Sequence, residues 1–461
     1  MAKAHIGSSK GKRLSYELND LTRHAAVVGT TGSGKTVMCK ILIEEALAKS
    51  IPVIAIDPKG DIGSLAISDN SFDFRPFLNK AQAERASSKY GQEIAEQGVN
   101  KEGINKLSKV ETKIYTPKSN VGIGVSLMPD LSAPAKFKKM AQDDPNIVAD
   151  FVEPVSGSIV QLASIKGQKK EKIQSLISSI LVHNWEQQKD VSMEGLIRQV
   201  ITPPFSEIGS LPIGEYLSEK ERKSVASSLN ILHTSPSKKA LKHGEKVDVA
   251  AMLKPGRLSV FDLRFASSLE EKQIVAEKIM QEIYKLIINK GGSQKLRYIL
   301  YIDEIAGLLP APPSSPASKK LLELLVRQAR AFGLGIILAT QSPGDVDYRI
   351  FGNMGSRFIG RLRTENDIEK VAMAMDIAPS KLRKDVSSLK TGDFIYNDAV
   401  QNKNRIMNAR WLLSYHSSPL KAKEIGWINY PRSRPKKQGI IKAKAKKKTK
   451  KKKRPPKISA V

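Results

Sequence analysis

Short apolar runs recur along the chain, separated by longer segments in which apolar residues return every three or four positions. Continuous apolar runs predict strands buried on both faces of a parallel sheet, and the longer spacing predicts amphipathic helices. Their alternation predicts an α/β fold with a mainly parallel sheet. The predicted strands are 25–28, 51–56, 257–263, 298–304, 335–340 and 357–363. The predicted helices are 80–97, 169–187, 218–232, 269–290, 319–332 and 365–375. A short strand is also predicted at 14–18, and a closing hairpin at 392–396 and 405–411.

The sheet pattern is interrupted between residues 66 and 249, where helical spacing dominates and one strand-like run falls at 112–116. This interruption predicts a large, mainly helical insertion (66–249) within a discontinuous core made of residues 1–65 and 250–430. Residues 431–461 are too polar and too charged to pack, so they predict a disordered, Lys-rich tail.

The strand 25–28 leads directly into a glycine-rich segment that fits the phosphate-binding loop pattern, and a helical pattern follows it. Backbone N–H groups of such a loop surround phosphate oxygens, because glycine places no Cβ in the way. The helix N-terminus directs its partial positive charge at the same anion. Lys35 is expected to reach the β- and γ-phosphates of ATP, and the Thr36 hydroxyl to bind Mg²⁺. The expected nucleotide-binding residues are Gly29, Thr30, Thr31, Gly32, Ser33, Gly34, Lys35 and Thr36.

Two further predicted strands end in polar side chains suited to ATP hydrolysis. Asp303 and Glu304 end the apolar run that begins at Tyr298, which is the Walker B arrangement. Asp303 is expected to serve Mg²⁺, and Glu304 to polarise the water that attacks the γ-phosphate. Gln341 follows the strand 335–340, where its amide either contacts the γ-phosphate and the attacking water or simply hydrogen-bonds a loop. Together with the phosphate loop, these residues predict a RecA-like P-loop NTPase core that hydrolyses ATP.

Asp57 and Asp61 are accessory candidates, since they follow the strand 51–56. Ligands of open α/β sheets bind outside the carboxyl ends of the strands. These acids therefore either lie beside the nucleotide or belong to an ordinary polar turn.

Hydrolysis also calls for a cation that stabilises the charge on the transferring phosphoryl group, often an arginine from a neighbouring subunit. Arg330, Arg361 and Arg363 are the candidates. Arg330 leads, because it falls roughly 130° from the apolar stripe of its helix and so points toward solvent or another subunit. An arginine acting in trans requires subunits arranged head to tail in a ring.

The chain carries 76 Lys and Arg against 46 Asp and Glu, a formal net charge of +30. Fifteen of the basic residues lie between Arg432 and Lys457, and the others still exceed the acids by about 15. This balance favours a polyanionic partner. The tail itself favours a nucleic-acid tether, or a solvated end that binds any polyanion weakly. Aromatic residues make up only 6% of the chain, which argues against recognition of single strands by base stacking.

A single cysteine, Cys39, excludes an internal disulfide framework and favours a reducing compartment. The chain shows no apolar run near the roughly 18 residues that a membrane span needs, and its N-terminus has no apolar stretch of the secretory type. We therefore expect a cytoplasmic protein without a membrane segment.

Several segments resemble the HerA–FtsK class of ring-forming, DNA-pumping ATPases, and HerA-like proteins in particular. The resemblance spans residues 14 to 415 and is least distinct in the helical insertion. It implies a hexamer, a central channel for duplex DNA, ATP and Mg²⁺, and often a nuclease partner of the NurA type. The segments that carry it are 21–36, 57–61, 114–117, 302–304, 327–335 and 339–341.

The same resemblance implies nucleotide binding by the phosphate loop, magnesium binding and catalysis by the two Walker B acids, hydrolysis sensing by Gln341 and a trans role for Arg330. Because only 28 residues precede Gly29, we expect this sequence to lack the N-terminal barrel of HerA itself. That barrel is associated with ring assembly and partner docking, so the nuclease partnership is left open. The Lys-rich tail is also outside the family pattern.

We expect an oligomeric, DNA-stimulated ATPase that translocates on or unwinds duplex DNA, with hydrolysis at subunit interfaces. One alternative is a conjugation- or packaging-type DNA pump, which usually brings membrane helices or a docking domain. Another alternative is an ATP-dependent switch or scaffold whose basic tail binds RNA or acidic proteins without translocation.

Overall fold

The computed structural model describes residues 3–97, 101–134, 136–143, 145–165, 167–235, 244–313, 316–347 and 349–433. From residue 434 onward, the predicted tail lies outside the described residues. The strands of the described ranges are β1 (Lys3–Ser9), β2 (Lys12–Glu17), β3 (Ala25–Val28), β4 (Val53–Asp57), β5 (Glu111–Tyr115), β6 (Glu207–Ile208), β7 (Leu211–Pro212), β8 (Arg257–Asp262), β9 (Ser293–Ile302), β10 (Phe332–Thr340), β11 (Ser356–Ile359), β12 (Asp393–Asp398) and β13 (Lys403–Ala409).

Eleven of these strands form one sheet, and β6 and β7 form a small separate hairpin. The centre of the sheet is parallel, in the order β5, β8, β4, β9, β10, β3, β11. The strands β12, β13, β1 and β2 extend it with antiparallel pairing. The predicted mainly parallel α/β core is therefore confirmed, and the predicted closing hairpin is β12–β13.

The strand β5 lies in the segment predicted as the helical insertion, yet it forms an edge of the main sheet through parallel pairing with β8. A chain segment can leave a sheet for a series of helices and still contribute a strand to it, because pairing depends on the fold and not on sequence proximity. The sheet thus extends beyond the segments expected to form it. The division of the chain into domains stays a prediction.

Helices cover both faces of the sheet, and they lie close to the predicted positions. In the described ranges they are α1 (Lys35–Leu47), α2 (Lys80–Glu96), α3 (Lys101–Leu107), α4 (Phe137–Asp143), α5 (Pro145–Leu162), α6 (Lys170–Glu186), α7 (Met193–Ile201), α8 (Ile213–Tyr216), α9 (Glu219–Thr234), α10 (Val249–Met252), α11 (Leu269–Lys290), α12 (Ala317–Gln328), α13 (Arg349–Gly352), α14 (Glu365–Met375), α15 (Pro379–Ser387) and α16 (Ala422–Asn429). The helix predicted at 319–332 ends earlier, at Gln328, and continues as a 3₁₀ turn over 329–331.

An apolar cluster packs on each face of the parallel strands, which explains the continuous apolar runs in the sequence. In β3, Val27 belongs to the cluster that contains Leu42 of α1, whereas the neighbouring Val28 belongs to the other cluster. That second cluster also contains Ile177 of α6 and Ile279 of α11. The helices of the predicted insertion therefore share one continuous core with the sheet.

The last helix, α16, covers the edge of the sheet at β5. The buried Asn429 accepts a hydrogen bond at Oδ1 from Ile114 N (2.8 Å), and its Nδ2 donates to Ile114 O (2.8 Å). The Lys113 ammonium donates to the backbone oxygen of Asn429 at 3.2 Å. One side-chain amide thus satisfies both backbone groups of Ile114 that point away from β8.

A buried acid lies between α11 and α5. Glu277 accepts a hydrogen bond from Ser158 Oγ at Oε1 (3.0 Å), and its Oε2 has no hydrogen-bond partner among the described residues. Burial raises the pKa of Glu277 to about 7, because the ionised carboxylate loses its hydration. The packing of these two helices therefore favours the neutral acid.

Candidate nucleotide-binding site

The predicted phosphate loop joins β3 to α1. Gly32 and Gly34 adopt φ angles of +78° and +99°, a region that favours glycine. A Cβ on Gly34 would lie 3.1 Å from Gly392 N, so the loop is also closely packed. Its start is fixed by a hydrogen bond from Thr30 N to Arg361 O at 2.9 Å. The sequence folds here into a tight loop whose conformation depends on glycine.

Lys35 begins α1 and points at the end of β9. Its Nζ lies 2.7 Å from Asp303 Oδ1, and the side chains of Lys35 and Asp303 are only 5% and 1% exposed. Burial opposes the charged form of Lys35 and is the largest single effect, but the attraction of Asp303, Cys39 and Glu304 together raises the pKa of the lysine. Lys35 therefore stays charged, and the two side chains lie where a phosphate and a metal ion would bind.

The donor set at this position fits Mg²⁺. Asp303 Oδ2 is buried and has no hydrogen-bond partner among the described residues, and Thr36 follows Lys35 in the first turn of α1. Carboxylate and hydroxyl oxygens are the hard ligands that Mg²⁺ prefers, usually together with waters and substrate phosphates. Asp303 and Thr36 are thus the residues that would hold the ion.

Glu304 lies beside Asp303 in a left-handed backbone conformation, with φ of 49° and ψ of 58°. This region is uncommon for a residue other than glycine, asparagine or aspartate, and such conformations often occur at functional sites. Its Oε1 accepts hydrogen bonds from Gln341 N (3.3 Å) and Thr340 Oγ1 (3.4 Å). The carboxylate is therefore held between the ends of β9 and β10.

Gln341 lies at the end of β10, between the phosphate-loop strand β3 and the Walker B strand β9. Its Oε1 accepts a hydrogen bond from Thr31 Oγ1 at 2.7 Å, and its backbone N contacts Glu304. The structure thus brings the predicted sensor into contact with both the phosphate loop and the predicted base.

Asp57 and Asp61 occupy the turn after β4, and the structure distinguishes them. Asp57 is buried and accepts hydrogen bonds from the backbone N–H groups of Lys59, Gly60 and Ile62 at 2.8–3.1 Å. Burial and the nearby Asp303 charge raise the pKa of Asp57 to about 7. Asp61 is half-buried, and burial raises the pKa of this acid as well. Asp57 therefore shapes the turn, whereas Asp61 is half-buried beside it.

The three candidate arginines lie in different places. Arg361 donates from Nη2 to Gly32 O (2.6 Å) and to Thr391 Oγ1 (3.2 Å), so it contacts the phosphate loop of its own chain. Arg363 is exposed and lies beyond β11, which ends at Ile359. The strand predicted at 357–363 is thus shorter than expected, and both arginines belong to the loop that follows it.

Arg330 is exposed on the 3₁₀ turn that precedes β10. The strand β10 runs from Phe332 to Thr340, so its two ends are separated by about 26 Å at about 3.3 Å per residue. Glu304 and the phosphate loop lie at the far end of that strand. Arg330 consequently lies at the opposite end of the parallel strands and does not reach the site of its own chain.

Sequence reasoning assigned no role to Lys59, which the structure places in direct contact with the predicted base. Lys59 Nζ lies 2.7 Å from Glu304 Oε2. The signal in the sequence was a cation in the turn at the carboxyl end of β4, next to Asp57 and Asp61. Its partner could be identified only once β4 was known to lie beside β9.

A phosphate loop after β3, an Asp-Glu pair after β9 and a glutamine on the strand between them define a P-loop NTPase of the RecA-like type. Over the part of the chain that the structure describes, no helix is both long and apolar enough to cross a membrane. The family profile described as "Helicase HerA, central domain" matches residues 4–283, and "Helicase HerA-like C-terminal" matches residues 271–394. The chain belongs to the HerA helicase family.

Two curated relatives show how far the similarity extends. The DNA double-strand break repair helicase HerA of Sulfolobus acidocaldarius is 28% identical over 155 residues, which cover 32% of this chain and 30% of that protein. The protein of the same name from Pyrococcus furiosus is 20% identical over 430 residues, covering 83% of this chain and 64% of the relative. The chain therefore spans less than two thirds of the length of these relatives.

Two solved structures share the fold. VirB4 of Thermoanaerobacter pseudethanolicus superposes with a TM-score of 0.57 at 12% identity, over 89% of this chain and 97% of VirB4. The plasmid coupling protein TrwB in complex with the ATP analogue ADPNP gives a TM-score of 0.51 at 13% identity, over 92% of each chain. The predicted P-loop fold, with its mainly parallel sheet, is confirmed.

Proposed function

We propose that this chain is an ATP-hydrolysing motor that translocates on or unwinds duplex DNA, with each hydrolysis site completed by a neighbouring subunit. The observation that carries the proposal is the convergence of Lys35, Asp303, Glu304 and Gln341 at one end of the parallel strands. Arg330 lies at the other end. In a head-to-tail arrangement, one subunit would supply the groups for water attack, and the next subunit would supply Arg330 from the other end of its strands.

In this mechanism, the phosphate-loop backbone binds the phosphates and Lys35 exchanges Asp303 for their β- and γ-oxygens. Glu304 accepts a proton from the attacking water, and Gln341, whose side chain is held by Thr31, orients that water. Asp303 and Thr36 would hold a Mg²⁺, which would supply positive charge to the phosphate oxygens. The hydrogen bonds that join Gln341 to Thr31 and to Glu304 would change on loss of the γ-phosphate.

Duplex DNA is the proposed substrate, and a closed ring is the proposed assembly. Support comes from the basic balance of the chain, which remains positive without residues 432–457, and from the HerA relatives that are named as DNA repair helicases. Phosphate contacts by Lys and Arg favour a polyanion without regard to base sequence. The exposed Arg330 supports the head-to-tail contacts that a ring such as a hexamer needs. The single cysteine supports a cytoplasmic location.

Steady-state ATPase activity with and without duplex DNA, at about 0.15 M salt, tests this proposal. The full chain is compared with a chain that ends at Pro431. Strong stimulation of both proteins is expected if DNA binds the core. Stimulation that requires the tail would make the tail the DNA contact and remove the argument for translocation. Hydrolysis without stimulation in either protein would favour an ATP-dependent switch or scaffold with an RNA or protein partner.

Lys35→Ala is the matched inactive control for these assays. The substitution removes the cation that reaches the phosphates, so it should abolish nucleotide binding and turnover together. An equilibrium titration with a fluorescent ATP analogue separates these two effects. Turnover that survives in Lys35→Ala would place the nucleotide elsewhere and overturn the proposed site.

A further inference from the structure

Glu304 is engaged on both of its carboxylate oxygens. Its Oε1 faces the donors at the end of β10, Gln341 N and Thr340 Oγ1. Its Oε2 faces two ammonium groups, Lys59 Nζ at 2.7 Å and Lys35 Nζ at 4.0 Å. A carboxylate must present a lone pair to a water in order to take its proton. In the arrangement seen here, Lys59 takes one of the two lone pairs of Oε2.

The backbone of Lys59 is fixed, whereas its side chain is able to move. Asp57 Oδ1 accepts hydrogen bonds from the backbone N–H groups of Lys59 and Gly60. Gly60 has a φ angle of +77°, and a Cβ there would lie 2.2 Å from Arg264 Nε, so the turn is packed from the outside as well. The Lys59 side chain is 37% exposed and that of Glu304 is 26% exposed. A swing of the lysine side chain therefore needs no rearrangement of the turn.

The γ-phosphate of a bound ATP would come close to both lysines. The phosphate-loop lysine reaches the β- and γ-phosphates in this class of site. Lys35 and Lys59 flank the same oxygen, Glu304 Oε2, so an anion that draws Lys35 lies within the surroundings of Lys59. A γ-phosphate carries more charge than one carboxylate and competes for both ammonium groups.

We propose that Lys59 is a positioning residue that restrains Glu304, and that the γ-phosphate of ATP draws the Lys59 ammonium away so that Oε2 becomes free to accept a proton. This inference rests on the proposed ATPase function and adds a residue to it. It explains why a partly exposed ion pair, which contributes little to stability, lies directly on the predicted base. It also makes release of the base dependent on the third phosphate, which ADP lacks.

Four proteins test the inference: the wild type, Lys59→Met, Lys59→Arg and Lys118→Met. Methionine keeps the length of the side chain and removes its charge, and arginine keeps the charge. Lys118→Met is the matched control, because Lys118 also forms a partly buried ion pair, with Glu271 at 2.6 Å, that does not involve Glu304. Two quantities are measured: kcat and KM for ATP without DNA, and the equilibrium preference for a non-hydrolysable ATP analogue over ADP.

Lys59→Met is expected to raise kcat by about two- to fivefold, the scale of a partly exposed ion pair, and to raise KM for ATP by a similar factor. The same variant should lower the preference for the ATP analogue over ADP by a similar factor, since the γ-phosphate loses one of its cations. Lys59→Arg should keep the wild-type values of both quantities. Lys118→Met should do the same, although it loses an ion pair of comparable burial.

A fall in kcat of tenfold or more in Lys59→Met would mean that the lysine stabilises the transition state directly, and it would overturn the restraint. An effect no larger than that of Lys118→Met on both quantities would also overturn it. The preference for the ATP analogue tests the inference even in a protein that hydrolyses slowly. Failure of the wild type to bind either nucleotide is a separate outcome, which overturns the proposed function and this inference with it.

Discussion

Replacing Glu277 with glutamine should stabilise the protein at pH 8 far more than at pH 5. The pKa of Glu277 is raised from an ordinary value of 4.5 to about 7 by burial between α11 and α5. The folded protein therefore holds this proton more tightly than the unfolded chain. For such a group, stability is highest at low pH, falls as the pH rises from about 4.5 to about 7, and is level above that range. Glutamine stays neutral throughout and keeps an oxygen that accepts the Ser158 hydrogen bond.

The size of the effect follows from the two pKa values. At about 1.4 kcal/mol per pKa unit, the wild type loses about 3 kcal/mol at pH 8, but under about 1 kcal/mol at pH 5. For a chain of this length, unfolding entropies near 2.1 cal/mol/K per residue convert 3 kcal/mol into an increase of about 3 °C in Tm. Glu277→Gln should therefore raise Tm by about 3 °C at pH 8 and by less than about 1 °C at pH 5.

Thermal unfolding of both proteins at the two pH values, followed by circular dichroism, measures this difference. The control is Glu282→Gln on the same helix, whose carboxylate faces Lys285 at 3.3 Å. That variant should not gain stability at pH 8. An equal change of Tm at pH 5 and pH 8 in Glu277→Gln would refute the reasoning, because it would show that the acid is as ionised in the folded protein as in the unfolded chain.

Other variants test the site and the fold. Glu304→Gln should bind ATP normally and lose about 10²–10⁴ in turnover, as measured by titration and steady-state hydrolysis. Arg330→Ala mixed with Glu304→Gln should regain activity at intermediate ratios, and no recovery at any ratio would exclude a trans role. Gly34→Ala should weaken ATP binding in a titration, since alanine is strained at a φ of +99° and its Cβ would lie 3.1 Å from Gly392 N. Asn429→Ala should lower the free energy of unfolding in urea by about 1–3 kcal/mol by leaving the Ile114 N–H unpaired, whereas Ile114 O keeps its bond from Ile123 N; an unchanged value would show that the N–H finds another partner.

The parallel core was predictable because its strands are buried on both faces. The run 51–56, for example, is apolar at nearly every position, and it forms β4 over Val53–Asp57. The phosphate loop and the Asp-Glu pair were predictable for a related reason: their chemistry requires particular residues next to one another in the chain. The sequence predicted the strand that each motif follows. The order of those strands in the sheet then brings Lys35 Nζ within 2.7 Å of Asp303 Oδ1.

Contacts between distant residues were not predictable in the same way. Lys59 and Glu304 are 245 positions apart, and Asn429 and Ile114 are 315 apart. Neither pair has a local pattern, because a lysine in a turn and an asparagine at a helix end are ordinary surface choices. The end of α12 was also predicted too late in the chain. Gly333 belongs to the strand that follows, where it has a φ angle of +74° and no space for a Cβ beside Lys295 O.

The amide of Asn429 has a consequence for how copies of this chain can associate. Open strand edges invite pairing with a strand from another molecule, and proteins commonly block them. At β5 the outward backbone groups of Ile114 are already bonded, and Thr116 N donates to Ile123 O at 2.9 Å. That end of the sheet is closed to strand addition. A strand from another molecule therefore cannot pair with these groups of β5, and any contact between copies at this edge would involve side chains instead.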